Sequence, residues 1–269
     1  MLDRSGDDAA LLDEVCRIAV EAGAAIRAIE RSGDYHVWRK PDTSALTDAD
    51  VAANALIVDA LHALDPATPV ISEEGRWNID GGVPARFWLV DPLDGTREFV
   101  AGNGEYTVNI ALVEAGEPVL GVVHVPAQGI TYSSARNGAF RADAEGARRI
   151  TACAGGTLKA VVSRSHAGPL LATFLAALPP HETIPMGSAV KMCLVADGTA
   201  QIYPRLGPTC WWDTAAAHAI ALSSGAEIVA LDGTPLRYDG ATILNPSFVC
   251  ASVGRETWAA AARAVERDA

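Results

Sequence analysis

Apolar positions recur every three or four residues along 8–29, at Leu11, Val15, Ile18, Ala22, Ile26 and Ile29. That spacing predicts an amphipathic helix with its charges on the opposite face. A second helix is expected from near Thr47, carrying Val51, Ala55, Val58 and Leu61 inward and stopping before Pro66. Short apolar runs at 69–72 and 87–90 then read as interior strands. Segments 106–113 and 118–125 flank Glu114-Ala115-Gly116-Glu117 and read as a β-hairpin, with a further strand at 130–134. The stretch 141–156 is polar and rich in Gly and Ala, and it marks the expected internal boundary, dividing 1–145 from 146–269. Beyond it, strands at 159–163, 200–203, 227–231 and 248–252 alternate with helices at 169–178, 188–196 and 214–223 and one from Glu256. Hairpins early and alternation late predict an α/β protein of layered α+β type, with helices alternating with mixed sheets in two halves.

Composition narrows this picture. The 269 residues are 49% hydrophobic and 20% charged, enough to build a sizeable core. A net charge of −12 argues against a nucleic-acid partner or an anionic membrane surface. An anionic substrate would therefore need local attraction from metal ions and a few placed Lys and Arg. The five cysteines (Cys16, Cys153, Cys193, Cys210, Cys250) form no C-x-x-C pair and have mostly apolar neighbours, so buried reduced thiols are expected. Neither a leader-like start nor an apolar run long enough to span a bilayer is evident, which predicts a cytoplasmic protein without integral membrane contact. Peripheral association with the inner membrane stays open.

The candidate chemistry lies where apolar runs end. Trp88-Leu89-Val90 delivers Asp91-Pro92-Leu93-Asp94-Gly95-Thr96, placing two carboxylates at a turn. Asp, Pro and Gly also make ordinary turns, so the pattern alone carries two readings. Pro92 favours the functional one by fixing the backbone, Gly95 by allowing a ligand to approach closely, and Thr96 by adding a hydroxyl. Glu73-Glu74 follows the preceding run in the same way, or else is a solvated pair. Asp213 follows Trp211-Trp212 and could equally cap a helix. Asp50 fits a capping pattern with Thr47. Hard oxygen donors at strand ends, with no nearby Cys or His, suit Mg²⁺ rather than zinc.

Glu73-Glu74, the 91–96 motif and Trp212-Asp213-Thr214-Ala215-Ala216 resemble the inositol-monophosphatase superfamily of Mg²⁺-dependent, lithium-sensitive phosphatases. The resemblance runs from the first helix to about Phe248. It implies an inositol-monophosphatase/sugar-phosphatase-like fold, with two or three Mg²⁺ ions held by Glu73, Asp91, Asp94, Asp213 and the Leu93 carbonyl. It further implies that Asp50, Thr96 and Glu73 act on the attacking water, and that the amides of Gly95 and Thr96 hold the transferring phosphoryl group.

Thr96-Arg97-Glu98-Phe99, 103–110, Ser163-Arg164-Ser165-His166, 187–191 and 203–208 look like the 3′(2′),5′-bisphosphate nucleotidase branch. In that branch the residues matching Ser188, Lys191 and Arg205 grip the phosphate that is not cleaved, and the one matching His166 sits by the nucleotide. The implied reaction converts adenosine 3′,5′-bisphosphate to AMP and phosphate, a clearing step in sulfate assimilation, and the implied assembly is a homodimer. Inositol-specific relatives carry an acidic residue where this chain has Arg205, whose planar fork matches phosphate oxygens. The bland readings are a solvated helix lysine for Lys191, a surface salt bridge for Arg205 and a plain loop histidine for His166. Asp48 departs from the family pattern, either perturbing metal affinity or extending the cap. The rival functions are an inositol- or sugar-phosphate phosphatase of the same fold and, more remotely, a non-catalytic nucleotide-binding regulator.

Overall fold

The computed structural model describes residues 5–40, 44–75, 82–164 and 168–268. The chain opens with helix α1 (Ser5–Ser32), a short hairpin of β1 (Val37–Arg39) and β2 (Ala45–Thr47), and helix α2 (Asp48–Leu64). Strands β3 (Val70–Ser72) and β4 (Arg86–Asp94) lead to the five-residue helix α3 (Thr96–Val100). A meander follows: β5 (Thr107–Glu114), β6 (Glu117–Val125), β7 (Ile130–Ala135), β8 (Gly138–Asp143) and β9 (Gly146–Ile150). Then come β10 (Lys159–Ser163), α4 (Pro169–Ala176), β11 (Glu182–Met186), α5 (Val190–Ala196) and β12 (Ile202–Arg205). The chain ends with α6 (Ala215–Ser224), β13 (Glu227–Ala230), β14 (Phe248–Ala251) and α7 (Ala259–Asp268).

Two sheets organise these elements. The first runs β3-β4-β5-β6-β7-β8-β9 and the second β11-β10-β12-β14-β13. Helices α1 and α2 cover one face of the first sheet; α5 and α6 fill the space between the sheets; α4 and α7 pack on the outer side of the second. Helices and mixed sheets therefore alternate in five layers, as the sequence predicts. The period-2 rule for strands sorts the side chains between layers. On β4 and β5, Trp88, Val90, Val108, Ile110 and Leu112 join the core under α1 and α2, whereas Phe87, Leu89, Ala111 and Val113 join the core between the sheets.

The same alternation places the site. Asp91 follows Phe87 and Leu89 on the inter-sheet face, and Glu73 follows Ile71. Strand β3 is parallel to β4, and Glu73 N–H donates to the Val90 carbonyl at 3.0 Å, so both strands deliver their carboxylates at one edge.

Four details differ from the sequence reading. On α2 the buried apolar positions are Ala49, Ala53, Ile57 and Leu61, while Val51 is exposed. Asp50 turns inward and sets that register, and alanines allow close packing on α1. The 141–156 stretch is not a linker throughout, because β8 and β9 pair there and extend the first sheet. The 145/146 boundary falls in the turn of that hairpin, and the chain changes sheet between Ile150 and Lys159. Strand β11 and the β1–β2 hairpin are unanticipated elements. Of the cysteines, Cys193 and Cys250 are buried, Cys16 and Cys210 half-buried, and Cys153 exposed, correcting the expectation of uniformly buried thiols; none is in a disulfide.

Candidate metal and phosphate site

A cavity of about 250 Å³ opens where the carboxyl ends of β3 and β4 meet the second sheet. It is lined by Glu73, Asp91, Leu93, Asp94, Gly95, Thr96, Ser188, Lys191, Arg205 and Asp213. Every expected site residue except Asp50 and His166 therefore faces one space. His166 lies outside the described residues.

At one end, ligand oxygens of Glu73, Asp91 and Asp213 all lie within 4.8 Å of one another. Asp91 is buried and its Oδ1 accepts the Leu93 N–H at 3.1 Å. Burial, then Glu73 and the aspartates around it, push its carboxyl well above the usual range. Burial, then Asp94, push Asp213 up to about 8. Asp94 stands outside the trio. Burial raises its carboxyl against the pull of Lys191, and its Oδ2 accepts the Ala189 N–H at 2.6 Å. So many hard oxygen donors repelling one another out of water favour a bound divalent cation. The donor set fits one.

Asp50 closes the helix cap and also reaches Thr96. Its Oδ2 accepts the Thr47 N–H at 2.7 Å and the Thr47 hydroxyl at 2.6 Å, closing the cap of α2. Its Oδ1 accepts the Thr96 hydroxyl at 3.2 Å, so it stands one residue behind the cavity wall. Thr96 Oγ1 also lies 3.3 Å from the Leu93 carbonyl. Asp213 is no simple cap of α6. Its Oδ2 accepts the Cys210 N–H at 2.7 Å within a short 3₁₀ turn, which fixes the carboxylate before the helix begins. Asp48 accepts the His36 N–H at 2.7 Å and so ties the β1–β2 hairpin to the start of α2.

The same cavity also carries two cations, Lys191 and Arg205. Lys191 is buried rather than solvated and donates to the Ser188 carbonyl. Burial lowers its ammonium to about 8 against the pull of Asp94. Its Nζ lies 5.6 Å from the centre of the Tyr203 ring. Arg205 donates from Nη2 to the Pro208 carbonyl at 2.7 Å, and among the described residues its buried Nε has no hydrogen-bond partner and its guanidinium no salt bridge. Ser188 Oγ is likewise buried without a partner among them. Buried donors beside a cavity are placed to serve a ligand or a water there.

Lys40 escaped sequence reasoning. Its Nζ donates to Glu73 Oε1 at 2.7 Å and also to Glu74, so Glu74 is not a freely solvated charge. Burial opposes the Lys40 charge, yet Glu73 and Glu74 outweigh it and raise the ammonium. Burial raises Glu74 to about 7 despite Lys40. A lone lysine in a polar stretch carries no spacing signal that would place it between two glutamates.

The Inositol monophosphatase family model matches residues 8–268. The 3′(2′),5′-bisphosphate nucleotidase CysQ of Escherichia coli K12 is 44% identical over 242 residues, covering 88% of this chain and 98% of that protein. CysQ of Bacteroides thetaiotaomicron, a bacterial member of the inositol monophosphatase family, has a crystal structure that superposes with a TM-score of 0.81 at 38% identity, covering 91% of this chain and 98% of that one. An IMPase from Thermotoga maritima shares the fold at a TM-score of 0.79 and 23% identity. Among the described residues no helix is long and apolar enough to cross a membrane. With its carboxylate cluster at the paired strand ends and a family match across nearly its whole length, the chain belongs to the inositol monophosphatase family.

Proposed function

We propose that this protein is a Mg²⁺-dependent 3′(2′),5′-bisphosphate nucleotidase that converts adenosine 3′,5′-bisphosphate to AMP and phosphate, clearing that nucleotide during sulfate assimilation. One observation carries the choice of substrate: the carboxylate end and the Ser188–Lys191–Arg205 end face a single cavity. A substrate with two phosphates places one at each end. An adjoining pocket of about 340 Å³, sharing Ser163 and Arg205 with the first and walled by Pro169, Leu170, Leu206 and Pro208, suits a flat apolar base. The E. coli relative, a 3′(2′),5′-bisphosphate nucleotidase, supports the same reading.

Glu73, Asp91, Asp94, Asp213 and the Leu93 carbonyl would hold two or three Mg²⁺ ions. When bound, Mg²⁺ neutralises charge on the transferring phosphoryl group and makes a water more acidic. The chain's own residues do the rest. Thr96 donates its hydroxyl hydrogen bond to Asp50, so the Thr96 oxygen lone pairs are turned to accept from a water and orient it, and the Asp50 carboxylate is the acceptor for the proton that water loses. Asp50 is itself fixed by two bonds from Thr47, so the pair enters each turnover already aligned. The amides of Gly95 and Thr96 serve the transferring group, and Lys191 and Arg205 hold the phosphate that stays. His166 is assigned to the nucleoside on family resemblance alone. The working form is a cytoplasmic homodimer, and lithium inhibits it, as the resemblance implies.

Phosphoryl transfer needs mainly positioning and charge neutralisation, which this arrangement supplies. Arg205→Glu should raise KM for adenosine 3′,5′-bisphosphate by roughly tenfold or more, because a bidentate donor becomes a repelling charge. KM for adenosine 3′-monophosphate should barely move. Steady-state kinetics on both substrates decide, and an equal loss on each contradicts the role of Arg205.

A further inference from the structure

Gly187, Ser188 and Ala189 form the turn leading from β11 into α5, and the other half of the molecule holds that turn from both sides. Asp94 Oδ2 accepts the Ala189 N–H at 2.6 Å, and Glu105 Oε2 accepts the Gly187 N–H at 2.7 Å. Between them Ser188 stands at φ +47, a left-handed conformation that is costly for any residue with a side chain. A Cβ on Gly187 would lie 2.8 Å from the Glu105 carbonyl oxygen, so the turn is pressed against the backbone there. The result is a buried Ser188 Oγ on the cavity wall without a partner.

Arg164 completes the hold. Its Nε and Nη2 fork onto the two Glu105 oxygens at 2.9 and 2.6 Å, and Nη2 also donates to the Pro185 carbonyl at 3.0 Å. Its backbone N–H donates to the Met186 carbonyl at 3.2 Å. One guanidinium thus ties the carboxylate to the strand that feeds the turn. Charge explains why an arginine stands there. The Glu105 side chain is only 13% exposed, and a bare carboxylate beside this turn would repel a second phosphate. A bidentate arginine cancels that charge while Oε2 still accepts the Gly187 N–H.

We propose that Glu105 and Arg164 are a positioning pair for the end of the cavity that receives the uncleaved phosphate, an inference resting on the two-phosphate reading above. The pair acts through the Gly187–Ser188–Ala189 turn and by charge cancellation. Neither residue lines the cavity.

The test is steady-state kinetics of the full chain with Mg²⁺ on adenosine 3′,5′-bisphosphate and on adenosine 3′-monophosphate. Arg164→Met leaves the carboxylate uncancelled and should raise KM for the bisphosphate about tenfold or more with kcat little changed. KM for the monophosphate should stay within about twofold, since that substrate brings no second phosphate. Glu105→Gln should be milder, because the amide oxygen still accepts the Gly187 N–H. The double variant should recover from Arg164→Met towards Glu105→Gln in KM for the bisphosphate alone, whereas a purely structural pair would recover equally on both substrates. Arg164→Lys keeps the charge without the fork and should fall between; it replaces Arg164→Met if that variant melts below the assay temperature. Equal losses on the two substrates, no rescue in the double variant, or no change at all would overturn the pair. Wild-type enzyme that treats both substrates alike would instead overturn the two-phosphate reading, before any variant is made.

Discussion

Burial and the neighbouring Asp94 push the Asp213 carboxyl up to about 8 because its negative form has little water and several like charges around it. Proton binding therefore favours the folded state. Without metal, the contribution of this group is greatest at low pH and is lost as pH rises from its ordinary carboxylate range towards about 8. The chelated protein should accordingly unfold more easily at pH 8 than at pH 5, and Asp213→Asn should flatten that slope while abolishing Mg²⁺-dependent phosphate release. Thermal melts in chelator across this range check it; an unchanged slope in the variant would place the repulsion elsewhere. Such a residue lowers the stability of the metal-free protein as pH rises, and that conflict was legible in part. Carboxylates at the ends of apolar runs are unusual enough to notice, whereas the bond from Thr96 to the capping Asp50 was not, because it joins residues 46 positions apart. Lys40 and the Glu105–Arg164 pair were illegible for a different reason: their partners come from distant parts of the chain.

The helix that follows Asp213 shows how packing fixes a functional group. A Cβ on Gly121 of β6 would lie 2.1 Å from the Ala216 carbonyl of α6, so the helix rests on bare backbone. Gly121→Ala should wedge the two apart and destabilise the fold by about 3 kcal/mol, the scale of overpacking in a tight core. It should also lower activity by shifting Asp213, three residues before Ala216. Urea unfolding and turnover measured together test both; a stable, fully active variant would mean the helix can slide without penalty. At this scale, long periodic segments were read well and short or polar ones were not. Helix α1 was clear over about six turns of pattern. Strand β11 was hidden by Glu182 and Pro185, which an edge strand tolerates and an interior one does not. The buried face of α2 was misread because Ala49 and Ala53 carry less hydrophobic signal than the exposed Val51.

Across the whole molecule, the site is a junction. Glu73, Asp91 and Asp94 come from the first sheet and its edge, while Asp213, Lys191, Ser188 and Arg205 come from the second half. A cation shared by these carboxylates would link the two halves, so Mg²⁺ should raise the unfolding free energy by about 2.7 kcal/mol at a hundredfold excess over its Kd. Asp213→Asn should remove most of that gain, as differential scanning calorimetry would register. The net charge of −12 gives no long-range attraction for an anionic substrate, which leaves metal ions and the cationic end of the cavity to provide it. Mg²⁺-dependent phosphate release from adenosine 3′,5′-bisphosphate, measured side by side with inositol 1-phosphate, tests the central claim most directly. The account predicts a strong preference for the nucleotide that depends on Arg205 and Lys191. A preference for inositol phosphate would contradict it, leaving the carboxylate site intact but the cationic end without the ligand assigned to it.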